Sequence, residues 1–184
     1  MNGNDRIDDL LSCAVFKTAI GWCGLVMARG KVRSFYIGYA SPRQLKRHIR
    51  NAFGDDICFK HSAAMKMIIQ KLRSYCSGKK VSLSRVPMDW SSLTPFQQKV
   101  LRAAARIPYG SVDTYGGLAR KIGSPRSARA VGNALRRNPF LLFIPCHRII
   151  KGDGSIGGFS AREGIILKSR LLNMEKFQSS RSTK

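Results

Sequence analysis

The sequence predicts a small α/β unit, an antiparallel sheet with helices, followed by a mainly α unit that contains a helix-turn-helix. Three observations carry this expectation. Three short runs rich in Val, Ile, Phe, Tyr and Thr crowd the first forty residues. Ser or Thr followed by Pro, the signature of a capped helix start, recurs at Ser41, Thr94 and Ser124. Two short helical stretches then meet at Gly123 in a tight turn. With 184 residues, 43% of them hydrophobic, the chain can bury a core in one ordinary domain or two small ones.

In the first half, residues 12–18, 22–28 and 32–38 read as strands, with Arg29-Gly30-Lys31 as a hairpin turn. Ser41-Pro42-Arg43-Gln44 opens a helix that Gly54 ends. Met65, Ile68, Ile69 and Leu72 fall at helical spacing and place a second helix at about 63–75, closed by Ser77-Gly78. Nothing in this half looks catalytic, and structural support is its expected role. The join falls near residues 84–92, which gives domains of 1–87 and 88–177 and a flexible polar tail of 178–184.

The second half opens with the capping box Thr94-Pro95-Phe96-Gln97, on a helix expected to reach about Arg106 and to bury Phe96, Val100 and Leu101. Pro108-Tyr109-Gly110 breaks it. A helix from about Tyr115 to Ile122 follows, capped by Asp113 or Thr114. Gly123 ends it, and Ser124-Pro125 is expected to cap the next, which runs to about Arg137. The last helix is expected at about 164–177.

Charge narrows the function. Lys and Arg number 33 against 10 Asp and Glu, a formal net charge of +23. Solubility needs charge but not such an excess of one sign, so a polyanion is the expected partner, nucleic acid ahead of an anionic membrane. Between Ser91 and Ile150 ten cations face the single acid Asp113. Arg126, Arg129, Arg136 and Arg137 crowd the second helix of the pair without acids to bridge, so that helix reads as DNA-facing. Its small residues, Gly132 among them, suit close approach of either core or a partner. Secretion is not indicated: Lys17 interrupts the apolar stretch 10–28, and Asp5, Asp8 and Asp9 precede it. No uncharged apolar run is long enough to span a membrane.

Cys13, Cys23, Cys58, Cys76 and Cys146 are odd in number and irregular in spacing, which suits a reducing compartment, and the first four read as small buried hydrophobes. Cys146 differs. In Ile144-Pro145-Cys146-His147-Arg148 a thiol stands beside a possible proton acceptor and a cation. Adjacent residues on a regular strand face opposite ways, so Cys146 and His147 can cooperate only if the backbone turns there or a water links them. Asn138-Pro139 precedes this motif, Gly157-Gly158-Phe159-Ser160 follows it, and Glu175 lies on the last helix.

Residues 94–175 resemble the O6-alkylguanine-DNA alkyltransferases, or methylated-DNA–protein-cysteine methyltransferases. The likeness runs through 96–101, Ile107-Pro108-Tyr109-Gly110, Thr114-Tyr115, 128–132, Asn138-Pro139, Pro145-Cys146-His147-Arg148 and Gly157-Gly158-Phe159. It implies a ribonuclease-H-like first domain and a winged-helix-like second one. It implies that Cys146 accepts the alkyl group in a single irreversible turnover. His147, polarised by Glu175, helps deprotonate Cys146 through a water, Asn138 holds the turn, and Tyr115 protonates or hydrogen-bonds N3 of the flipped guanine. Arg129 fills the vacated stack, Ser160 contacts O6, and Ser124, Ala128 and Arg136 complete the DNA-contacting set. Neither cofactor nor metal is expected. Cys13, Cys23, His48 and His61 could supply ligands, but their spacing supports no site. The expected partner is double-stranded DNA carrying O6-alkylguanine, bound by a monomer in the cytoplasm, or in the nucleus of a eukaryote. About five neutralised phosphates give a log K against log salt slope of about −4.5. Competing readings are a lesion sensor that does not react, a helix-turn-helix regulator, and a cysteine hydrolase using Cys146 and His147.

Overall fold

The computed structural model describes residues 11–181. The readings at Asp5, Asp8 and Asp9, and at residues 182–184, lie outside them. The chain divides into two compact units, the first ending at Asp89 and the second starting at Trp90.

The first unit is an antiparallel sheet of β1 (Ser12–Thr18), β2 (Gly21–Ala28) and β3 (Lys31–Tyr39) in that order. Its tight link between β2 and β3 has Arg29 at φ 49° and Gly30 at φ 69°. Two positive φ values in a two-residue loop match the twist of the strands they join. Helix α1 (Pro42–Phe53) has Ser41 accepting from the Gln44 N–H, and Gly54 at φ 91° ends it. It packs Leu45 and Ile49 over β2 at Gly24, where a Cβ would sit 2.7 Å from the Ile49 side chain. Helix α2 (Ala63–Cys76) buries Met65, Ile68, Ile69 and Leu72. Arg73 of α2 lies over the ring of Phe16, which is paired with Cys23 on the sheet face opposite Gly24 and Val26.

In the second unit, α3 (Pro95–Ala104) carries the complete Thr94–Gln97 capping box. It buries Val100 and Leu101, but Phe96, on its first turn, stays exposed, and the helix stops two residues short of Arg106. Strand β4 (Asp113–Thr114) leads directly into α4 (Tyr115–Lys121), and Thr114 caps it by accepting from Gly117. The next helix, α5 (Ala128–Arg136), starts later than expected. Ser124 does not cap it. The Ser124 N–H reaches back to Ala119 O and Gly123 N–H to Arg120 O, so both residues close α4. Ser124 O then accepts from the Ser127 N–H and hydroxyl, forming a separate turn. Strand β5 (Ile149–Ile150) pairs in parallel with β4, and α6 (Gly164–Arg181) continues past Phe177 into the segment expected to be a loose tail. No helix among the described residues is long and apolar enough to cross a membrane.

Candidate active site

Asn138 organises the approach to the thiol. It is buried; its Oδ1 accepts from the Phe140 N–H at 2.9 Å, and its Nδ2 donates to Ile144 O and to Cys146 Sγ, each at 3.2 Å. One side-chain amide thus closes the 138–146 loop on itself. The closure holds Leu142 at φ 68°, a left-handed conformation that costs a non-glycine residue about 1–2 kcal/mol. A mid-loop asparagine with both amide atoms satisfied supplies that restraint.

After Pro145 the backbone does turn. Cys146–Arg148 form one turn of 3-10 helix, closed by the Arg148 N–H on Pro145 O at 2.9 Å. With three residues per turn, successive side chains splay about 120° apart. Cys146 therefore faces a cavity while His147 points into the protein. β5 follows at once, and its pairing with β4 (Asp113 with Ile149, Thr114 with Ile150) sets the start of α4 beside the cysteine turn. Two residues of parallel pairing thereby bring Tyr115 to the cavity that Cys146 faces. The cavity holds about 300 Å³ and is lined by Tyr115, Gly132, Leu135, Arg136, Cys146, Gly158, Phe159 and Ser160. That is the small end of the range for ligand sites.

Gly132 faces the Tyr115 ring at ordinary contact distance, so the small residue on α5 makes room for the cavity wall. Gly157, at φ 70°, passes so close that a Cβ would lie 3.1 Å from the Tyr115 hydroxyl. At Gly117 a Cβ would fall 2.1 Å from Asp113 Oδ1, so the start of α4 packs closely on the residue before its cap.

Behind the cavity lies a buried ionic cluster. His147 Nε2 is 3.0 Å from Glu175 Oε1. Arg148 grips the same carboxylate through Nε and Nη2, both at 2.9 Å, and donates Nη1 to Ile107 O at 2.7 Å. The Gly110 N–H also donates to Glu175 at 3.2 Å. Burial alone would raise the Glu175 carboxyl, but the hydrogen bonds and charges of His147 and Arg148 outweigh it and hold it well below the ordinary carboxylate range. An ionised carboxylate only accepts, so His147 carries its proton on Nε2 and keeps its lone pair on Nδ1. Burial lowers the His147 pKa against the opposing pull of Glu175, which keeps the imidazole neutral. Burial pushes the Cys146 thiol up to about 11, against the Asn138 hydrogen bond and the Lys168 charge. The resting sulfur is a thiol beside a neutral histidine.

Two cations are buried in a way their sequence context does not show. Arg148, one of the ten cations between Ser91 and Ile150, is an internal partner of Glu175. The chain has only two glutamates amid 33 cations, but the sequence does not show which cation Glu175 draws inside. Lys168 is fully buried on α6, and its ammonium donates to Ile149 O and Gly158 O, tying the glycine loop to the strand after the cysteine turn. Burial brings its pKa down to about 8. Only its place on the inner face of the last helix, beside Leu171 and Leu172, hinted at this.

Of the residues expected to serve chemistry or DNA, Cys146, Tyr115, Arg136 and Ser160 line the cavity, and Asn138, His147 and Glu175 stand behind it. Arg129 is exposed at the second position of α5; Ser124 and Ala128 are half-buried at the turn before it and at its first position. None of these three lines the cavity. Among the described residues, no three His, Cys, Asp or Glu are grouped to hold a metal.

This geometry has relatives. The family model described as the DNA-binding domain of 6-O-methylguanine DNA methyltransferase matches residues 95–177. A methylated-DNA–protein-cysteine methyltransferase of Mycobacterium leprae is 37% identical over 117 residues, which span 64% of this chain and 68% of that protein. The chain belongs to the methylated-DNA–protein-cysteine methyltransferase family. A family member from Methanothermobacter thermautotrophicus is 42% identical over 113 residues; the match spans 61% of each protein. Among solved structures, the O6-methylguanine methyltransferase of Mycobacterium tuberculosis superposes with a TM-score of 0.74 at 29% identity, covering 91% of this chain and 93% of that one. A second M. tuberculosis structure, likewise at a TM-score of 0.74 and 29% identity, is a complex with DNA; it covers 90% of this chain and 92% of that one. The small antiparallel sheet and the helical unit are the two-domain architecture of this family.

Proposed function

We propose that the protein repairs DNA by moving an alkyl group from O6 of guanine onto Cys146, with O4 of thymine as the alternative donor. The observation that carries this reading is a buried cysteine opening into a cavity faced by Tyr115 and backed by His147 and Glu175. The lesion atom is out of reach within a duplex, so the nucleotide must leave the stack, at a cost of a few kcal/mol. Arg129, exposed on α5, fills the gap it leaves, and Ser124, Ala128 and Arg136 hold the backbone alongside. The Cys146 proton passes through a water to His147, whose imidazolium Glu175 stabilises. The sulfur attacks the alkyl carbon; the S–C bond forms as the C–O bond breaks. Tyr115 gives a hydrogen bond or its proton to N3, so the guanine departs neutral, and Ser160 receives O6. The product thioether has no group here to reverse it, so each molecule acts once and without a cofactor.

In this reading residues 88–177 bind DNA through a winged-helix-like arrangement and carry the acceptor. Residues 1–87 form a ribonuclease-H-like support, and the monomer works in the cytoplasm, or in a nucleus. Incubation with a duplex containing one O6-methylguanine, followed by intact mass measurement, tests it. A gain of one methylene that maps to Cys146 and is absent from Cys146→Ala supports transfer. The lesion-sensor reading draws on a relative named as a DNA base-flipping protein in Thermus thermophilus, 39% identical over 58% of this chain and 69% of that one. Tight, lesion-dependent binding without mass gain would favour it.

A further inference from the structure

The excess charge is not confined to the unit that holds Cys146. Residues 1–89 carry 16 Lys or Arg against six Asp or Glu, beside 17 against four in residues 90–184. A unit that only supports its neighbour has no need of this excess. Much of it is gathered on α1. Arg43, Lys46, Arg47 and Arg50 recur at i, i+3, i+4 and i+7, a single stripe along the helix, and all four are exposed. Leu45 and Ile49, on the other side of the helix, anchor it to the sheet. The helix contains no acid, and the contact between Arg50 and exposed Asp55, at 3.9 Å, is the only salt bridge to the stripe among the described residues.

The surroundings also suit phosphate. The stripe borders an open groove of about 860 Å³, where Ser41, Gln44 and Asn51 add neutral hydrogen-bonding side chains to four cations and Asp55 is the one acid in the lining. Phe59 lies under two of the cations, with Lys46 Nζ 5.3 Å and the Arg50 guanidinium carbon 5.2 Å from its ring centre. That contact holds their long side chains in place and lowers the entropy lost on binding. From Arg43 to Arg50 the stripe runs about 10 Å, the axial rise of roughly three phosphates on one DNA strand.

We infer that α1 is a second, sequence-independent site for the nucleic-acid phosphate backbone, separate from the α4–α5 pair. The inference rests on the DNA-repair reading but is tested apart from alkyl transfer. Its role is to hold the full chain on undamaged DNA while lesions are sought.

The test measures the affinity of the full chain for an undamaged duplex across a salt series. The variants are Arg43→Gln/Arg47→Gln, which leaves the Phe59 contacts intact, and the fourfold Gln variant of the stripe. Each lost phosphate contact should reduce the steepness of log K against log salt by about 0.9. The double variant should lose nearly two units of slope and bind roughly ten- to fiftyfold more weakly at 100 mM salt, with an unchanged melting temperature. Wild-type slope and affinity in the double variant, while the wild type binds DNA, overturn the inference and leave the repair reading standing. A wild type that does not bind DNA overturns both. Loss of binding to phosphatidylserine vesicles, with DNA binding intact, would assign the stripe to a lipid surface instead.

Discussion

Arg148 holds Glu175 in a two-pronged grip, Nε to Oε2 and Nη2 to Oε1, both at 2.9 Å, inside the protein. The same carboxylate receives His147, so one anion neutralises a permanent cation and fixes the tautomer of the histidine. Removing one partner from such a cluster leaves an uncompensated buried charge, at a cost of about 3–5 kcal/mol. Glu175→Gln should therefore melt at a markedly lower temperature and transfer alkyl groups more slowly. Arg148→Lys, which cannot reproduce the two parallel bonds, should also be destabilised. Calorimetry on both variants checks this; a wild-type melting temperature in either would contradict the account.

The same carboxylate sets the acid limit of stability. Glu175 titrates well below its ordinary value in the folded chain because His147 and Arg148 donate to it, despite its burial. A depressed folded pKa contributes stability that is fully present above the unfolded value and is lost as pH falls below it. Stability should thus decline on acidification below about pH 4.5, the ordinary glutamate range. In Glu175→Gln this part of the decline should be absent, which denaturant melts between pH 3 and 6 would reveal.

The pH dependence of transfer should run the other way. With the thiol pushed up to about 11 by burial, only a small fraction of Cys146 ionises unaided at neutral pH. In the proposed mechanism the neutral, buried His147 removes the proton. His147→Ala should slow transfer about 10²- to 10⁴-fold at pH 7, and the deficit should shrink as pH approaches the thiol pKa. Single-turnover rates between pH 6 and 10 give the answer; a deficit that does not change with pH would remove His147 from proton transfer.

Much of this arrangement was legible in the chain because it is local. The Ser41 and Thr94 caps, the Arg29-Gly30 hairpin and the periodic burial of α2 depend on residues within a few positions of each other. The start of α5 was misread because Ser-Pro marks both a helix start and a turn, and the Ser124 N–H is spent on α4. Arg148 and Lys168 were hidden for a different reason. A cation shows its sign in the sequence but not whether a carboxylate 27 positions away, or a carbonyl 19 positions away, will draw it inside. The spacing of the α1 stripe is written in residues 43–50, but its exposure and its lack of buried acidic partners among the described residues appear only in the fold.

Lys168 should behave as a positioning residue for the cavity. Its ammonium is shared between Ile149 O and Gly158 O, so it joins β5 to the loop that forms one cavity wall. Lys168→Met keeps much of the apolar stem and leaves both carbonyls without this donor, a loss of about 1–3 kcal/mol. Faster amide exchange across residues 156–160 and slower transfer should accompany it. Unchanged exchange in that loop would show that the lysine does not restrain it.

Gly117 offers the sharpest steric test. A Cβ at this position would lie 2.1 Å from Asp113 Oδ1, the oxygen that accepts the Thr114 N–H at 2.7 Å, while Thr114 itself caps α4. Asp113 cannot retreat freely, because its Oδ2 is engaged with Lys121 at 2.9 Å. Gly117→Ala would ordinarily favour a helix by about 1 kcal/mol. Here the clash should reverse that sign and destabilise the chain by about 1–3 kcal/mol, displacing the start of α4 and, with it, Tyr115. Removing the obstacle should restore the ordinary preference, so Asp113→Ala/Gly117→Ala should be more stable than the two single changes predict when added. A double-mutant cycle measured by denaturant melts decides the matter, and additivity would mean that Asp113 is not what demands glycine at 117.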